Sequence, residues 1–237
     1  MSNKKNNKKS YDNWIKLAKE FAKSKEYQKA IHAYNNAIKL NPNNGVIYVD
    51  KGICLADWGK VSLGKKEIEH GIKIDPKNDE VYRKQGFFFY TIKKYNNALI
   101  AVNKSLRLNP KKSSSWRNKS LYLENLGLIS KSLKAIEEAM KIKTKNDDYL
   151  LFRKGELLLK LKKIPEAIKV FQKALIHSKD PDVLYAISLN CSRQNLNKLA
   201  LSAIHKALKF NPRMSTYWNL KSKLFLETRK LKDALQA

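Results

Sequence analysis

PKNDEVYRKQGFFFYTIKKYNNALIAVNKSLRLNP, residues 76–110, runs from one proline to the next. The interval from Pro76 to Pro110 equals that from Pro42 to Pro76, and Pro212 follows Pro110 by three such intervals. Asn41, Asn109 and Asn211 precede three of these prolines and Asp75 precedes the fourth. Proline cannot continue a helix and biases the residue before it away from helical geometry. A stop signal on a fixed period means that one supersecondary unit is stacked repeatedly.

Other positions keep the same phase. A large side chain opens each unit: Trp14, Tyr48, Tyr82, Trp116, Leu151, Leu184, Trp218. Four residues on stands Ala18, Gly52, Gly86, Ser120, Gly155, Ser188 or Ser222, and then a bulkier group at Phe21, Leu55, Phe89, Leu123, Leu158, Cys191 or Phe225. A second small–large–small set follows, as in Ala98, Val102 and Ser105. Steps of three and four place these groups on one helical face. Polar breaks near Lys23–Glu26, Trp58–Lys60, Lys93–Lys94, Lys162–Pro165 and Asn195–Asn197 split each unit into two helices. Asp79, Ser114 or Ser115, Asp147 or Asp148, and Asp182 are expected as helix caps. The period lengthens by one near Thr144–Asp147 and shortens by one near Asp180–Pro181.

On these residues the chain resembles a tetratricopeptide repeat protein over about residues 11–237. The resemblance implies an all-α, right-handed α-solenoid superhelix of stacked helix-turn-helix repeats. The repeats are expected at about 11–44, 45–78, 79–112, 113–147, 148–180, 181–214 and, in part, 215–237, after a basic disordered tail at 1–10. Three departures are expected to soften the array locally: Gly64 and Gly71 in place of alanine, Thr144 in place of proline, and Cys191 in place of an aromatic.

The composition excludes more than it includes. No stretch reaches the roughly eighteen apolar residues that a bilayer requires, and the lysine-rich start has no apolar segment behind it, so a cytoplasmic location is expected. Two cysteines four repeats apart, Cys54 and Cys191, read as buried thiols. His32, His70, His177 and His205 fall in second helices of different repeats without metal spacing. No Gly-rich phosphate loop, nucleophile elbow or metalloprotease motif is present. No enzyme, metal or cofactor is expected.

Lys and Arg total 49 against 21 acids, a net charge of +28. An acidic partner and a lysine-biased composition both account for it. Arginine is scarce, seven in all, and four stand once per repeat on the first helices. In the family resembled, the first helices line a concave groove that holds extended or helical peptides. The groove residues expected here are Arg83, Phe87, Tyr90, Arg117, Asn118, Tyr149, Phe152, Arg153, Tyr185 and Arg193. Val49, Asp50, Ile53 and Asp57 form a more acidic and apolar patch on the second repeat. Arginine captures carboxylates bidentately, and Arg with aromatics is the composition of interface hot spots.

The expected function is a non-enzymatic scaffold or adaptor that binds a protein or peptide segment, acidic with apolar residues. A basic helical-repeat protein that binds RNA or DNA, or the interaction portion of a larger polypeptide, are the alternatives; under the first reading nucleic-acid binding is expected to be weak. Self-association through a C-terminal edge formed by Leu224, Leu226, Leu231 and Leu235 is also expected.

Overall fold

A computed structural model describes residues 2–142 and 147–236, with side chains for 10–142 and 147–229. Thr144, Leu231 and Leu235 therefore lie outside the described side chains. The described residues form thirteen helices: α1 (Ser2–Lys23), α2 (Tyr27–Leu40), α3 (Gly45–Asp57), α4 (Val61–Ile74), α5 (Asp79–Thr91), α6 (Tyr95–Leu108), α7 (Ser113–Asn125), α8 (Ile129–Ile142), α9 (Asp148–Lys160), α10 (Ile164–His177), α11 (Pro181–Arg193), α12 (Asn197–Phe210) and α13 (Ser215–Gln236). No strand occurs among them. The fold is all-α, and within each body helices neighbouring in sequence pack as pairs, such as α1 with α2, α3 with α4, α5 with α6 and α11 with α12. The chain divides into two compact bodies, Met1–Gly127 and Leu128–Ala237.

The proline period and the aromatic period are chemically linked. Tyr82 donates its hydroxyl to the carbonyl of Pro76 at 3.0 Å. Trp116 Nε1 donates to the carbonyl of Pro110 at 2.9 Å, and Trp218 Nε1 to that of Pro212 at 2.8 Å. Each bond ties the opening ring of a first helix to the loop before it. The loop carbonyl is thereby satisfied without interrupting either helix.

A second period sits at the turn inside each repeat. Lys25, Gly59, Lys93, Gly127, Lys162 and Asn195 all have positive φ and recur at the repeat interval. The interval lengthens by one between Gly127 and Lys162 and shortens by one between Lys162 and Asn195, so these turns record the slips expected from the sequence. Around most of them the chain closes a 6→1 bond, such as Glu26 N to Phe21 O at 2.8 Å and Leu196 N to Cys191 O at 2.9 Å. This is the Schellman termination, and it satisfies the last carbonyls of the first helix.

Four expectations are corrected here. Asp147 caps α9 as expected; the other side-chain caps are Asn44, Asn78 and Asp180, and each of these four accepts a backbone N–H two or three residues on. Asp79 and Asp182 are already helical, and α7 has no side-chain cap at all, its cap position being Lys112. The segment expected as a disordered tail is helical from Ser2, because no proline or glycine separates it from the packed part of α1. The partial last repeat is one 22-residue helix, not a pair. It passes straight through Arg229, one repeat interval after the turn at Asn195. Leu224, expected at an open edge, is fully buried on this helix, whereas Leu226 is exposed.

Gly64 and Gly71, expected to soften the second repeat, are what let α3 and α4 meet. A β-carbon on Gly52 would stand 2.6 Å from the Gly64 carbonyl oxygen, and one on Gly71 would stand 2.5 Å from that of Gly45. The reciprocal positions, Gly45 and Gly64, are tighter still. Four glycines thus form a backbone-to-backbone seam, with Ile68 buried beside it.

Candidate functional site

The first helices of the N-terminal body enclose a cleft of about 340 Å³. Lys19 and Ala22 enter it from α1, Asp50, Ile53, Cys54 and Asp57 from α3, and Arg83, Lys84 and Phe87 from α5, with Tyr34 of α2 at its base. Helical spacing explains the set. Lys19, Ile53 and Phe87 hold the same position in successive repeats, as do Asp50 and Lys84, so each repeat delivers the same face to the same wall. Phe87 is 41% exposed, whereas Tyr34, the other ring lining the cleft, is buried.

The charges of the cleft are largely spoken for. Lys84 Nζ donates to Asp50 Oδ1 across neighbouring first helices, and both side chains are mostly shielded. Arg83 grips Glu80 one turn away in two bonds, one of them Nε to Oε2 at 3.0 Å. That pairing is the main cause of a Glu80 carboxyl held below its usual range, with Lys84 and Lys112 adding to it. Asp57 differs: burial alone raises its carboxyl above the usual range. Burial likewise pushes Tyr34 up, and Cys54 up to about 11.

The ten expected groove residues divide evenly between the bodies. In the N-terminal body, Arg83 and Phe87 share the cleft. Tyr90 does not join them; its ring stacks on buried Tyr122 at 5.5 Å and 28°. Arg117 and Asn118 sit half-buried on α7, outside the residues lining the cleft. In the C-terminal body, Tyr149 is exposed, and Phe152 packs against the core of that body. Arg153 donates to Glu156 at 2.5 Å, and Glu156 accepts from Asn190 of α11 at 3.3 Å. Tyr185 stacks on Tyr217 at 4.9 Å and 21°, and Tyr217 donates to Asp182 at 2.6 Å. Arg193 is exposed at the end of α11.

Tyr90, Phe152 and Tyr185 thus have a packing role, and the two tyrosines each stack on a tyrosine of the next first helix. Val49, expected to be open to the groove, is fully buried with Val81 and Phe88 between α3 and α5. The floor residues Tyr34 and Cys54 were not expected in the cleft. Their signal was their phase, which marked them as packing positions without showing that the packing forms a floor.

No group of three or more His, Cys, Asp and Glu lies where it could hold a metal among the described residues. Cys191 is fully buried, its thiol pushed up to about 12 by burial. No described helix is long and apolar enough to cross a membrane.

Family models for the tetratricopeptide repeat match residues 11–44 and 149–175. No curated protein matches the sequence. Among solved structures, PilF of Pseudomonas aeruginosa is similar at 15% identity and a TM-score of 0.64, covering 92% of this chain and 99% of that one. Human IFIT1, solved as a dimer with PPP-AAAA, is similar at 17% identity and a TM-score of 0.71; the match covers 94% of this chain and 60% of that one. YrrB, described as a tetratricopeptide repeat protein with an unusual peptide-binding site, is similar at 18% identity and a TM-score of 0.55, covering 81% and 100%.

Proposed function

We propose that this tetratricopeptide repeat protein is a non-enzymatic scaffold that binds a segment of another protein along its first helices, anchored in the cleft of the N-terminal body. The observation that carries this is the exposed Phe87 ring beside Ile53, walled by side chains from three successive first helices. A concave, mostly apolar surface with a few placed polar groups is the form that ligand sites take. The peptide-binding site named for YrrB supports the same reading.

The internal pairs refine the ligand. Asp50 and Asp57 face the cleft, so an acidic side chain set deep inside it would meet like charge. An apolar side chain belongs on Phe87 and Ile53. Acidic residues belong toward the exposed Lys19 and toward Arg117 of the same body.

A second reading, binding of RNA or DNA, is favoured by the net charge of +28. Salt separates the two. Fluorescence anisotropy of the full chain with a peptide of leucines flanked by glutamates, and with a single-stranded oligonucleotide, supplies the test. Peptide binding is expected to survive at about 0.3 M salt, because apolar burial is not screened. It is expected to weaken by about 30-fold in Phe87→Ala, the loss typical of a hot-spot ring. Oligonucleotide binding is expected to fall with a log–log slope of about −0.7 per contacted phosphate. Salt-resistant oligonucleotide binding with no peptide binding would replace the first reading with the second.

A further inference from the structure

In the repeat before α13 the second helix, α12, covers the first, α11. On α11 the covered positions are Leu184, Ser188 and Cys191, all fully buried. Ser188 Oγ donates to the carbonyl of Ala200 at 2.8 Å, so the backbone of α12 lies directly on it. One repeat later α13 presents Trp218, Ser222 and Phe225 at the same phase. Trp218 is 47% exposed, Phe225 is 48% exposed, and Ser222 is exposed between them. The same three positions that are sealed one repeat earlier are open here.

The neighbouring wall belongs to α12. His205 stands 6.2 Å from the Phe225 ring and also lines a hollow of about 480 Å³ with Ser202, Lys206, Lys209 and Phe210. Lys221 lies over both rings of α13, 4.7 Å from Trp218 and 5.8 Å from Phe225. The face is therefore an aromatic floor with a lysine rim. Lys206 is held by the carbonyls of Leu175 and Ile176 at the end of α10, but its charge remains. The acid on this stretch of α13, Glu227, pairs with Lys223 at 3.8 Å.

We propose that this α12–α13 face docks an acid-flanked amphipathic helix of a partner protein. Its shape follows from what covers the earlier repeats: helices with the pattern small, large apolar, small. Ala167, Phe171 and Ala174 of α10 show it, as do Ala200, Ile204 and Ala207 of α12, all fully buried. Its charge follows from the rim. Acids at the edges of such a helix would draw Lys221 off the rings and meet Lys209, while the apolar stripe covers Trp218 and Phe225. A second copy is the poorer occupant. It carries the same net +28, and face-to-face pairing sets Lys209 and Lys221 against their counterparts. This places a second contact surface on the protein, apart from the Phe87 cleft.

The probe is a 14-residue peptide with the α12 sequence in which Lys198, Lys206 and Lys209 are changed to Glu, titrated against the full chain. Saturable 1:1 binding is expected, weakened about 30-fold or more by Phe225→Glu and untouched by Phe87→Ala. Lys221→Glu is expected to reverse the preference, so that the unaltered lysine-bearing peptide binds better than the glutamate one. Both substituted side chains are partly open to solvent, and circular dichroism confirms that each variant keeps its helices. Absence of saturable binding overturns the proposal, as does binding indifferent to both variants. So does a dimer in sedimentation that Phe225→Glu dissolves, which would make a second copy the occupant. A single-stranded oligonucleotide that displaces the peptide and loses affinity in the same variants would also overturn it, in favour of base stacking.

Discussion

Phe171→Ala is expected to destabilise the C-terminal body by about 3–5 kcal/mol, the range for truncating a buried ring. Phe171 is fully buried in a cluster with Leu151, Leu158, Leu184, Ile187 and Ile204. Its ring occupies the space where a β-carbon on Gly155 would stand, so no neighbouring side chain is ready to fill the void. Because repeats are stabilised by their neighbours, the loss should spread to the repeats on either side. Urea melts followed by circular dichroism measure it. A loss below about 1 kcal/mol would mean that the core repacks freely around the site.

Gly64→Ala sets two effects against each other, and their magnitudes decide the sign. Alanine is better than glycine inside a helix by about 1 kcal/mol. Yet a methyl group at Gly64 would run into the carbonyl of Gly52, a backbone atom that cannot rotate away. Forcing α3 and α4 apart costs on the order of 1–3 kcal/mol or more. Net destabilisation is therefore expected, with Gly71→Ala behaving alike. A variant that melts later than the parent would show that the two helices separate at little cost.

Period and packing were legible in the sequence to different depths. Pro42, Pro76, Pro110 and Pro212 mark helix stops because proline's restriction is local and unconditional. The turns at Lys25, Lys93, Lys162 and Asn195 were seen only as polar breaks. Their left-handed backbone is normally glycine's, and nothing in a lysine announces it. The last repeat was misread for the same reason: Arg229 keeps the phase of a turn, but the helix continues through it.

The site was less legible than the fold. Phase put Phe87 and Arg83 on one helix, and both line the cleft. It could not distinguish a ring facing open groove from one stacked on the next repeat, because both lie outside the first-to-second-helix seam. Tyr90 and Tyr185 are of the second kind. Nor could it foresee that Glu80 and Glu156 would neutralise the arginines beside them, since the i,i+3 pairing competes with any ligand for the same guanidinium.

Hydrogen exchange tests the central claim most directly. The full chain is compared alone and saturated with a peptide selected on it from a random library. Protection is expected in α3 and α5, around Ile53 and Phe87, and is expected to vanish with Phe87→Ala while α4 and α6 exchange as before. Protection confined to the second helices α2, α4 and α6, unchanged by Phe87→Ala, would contradict it.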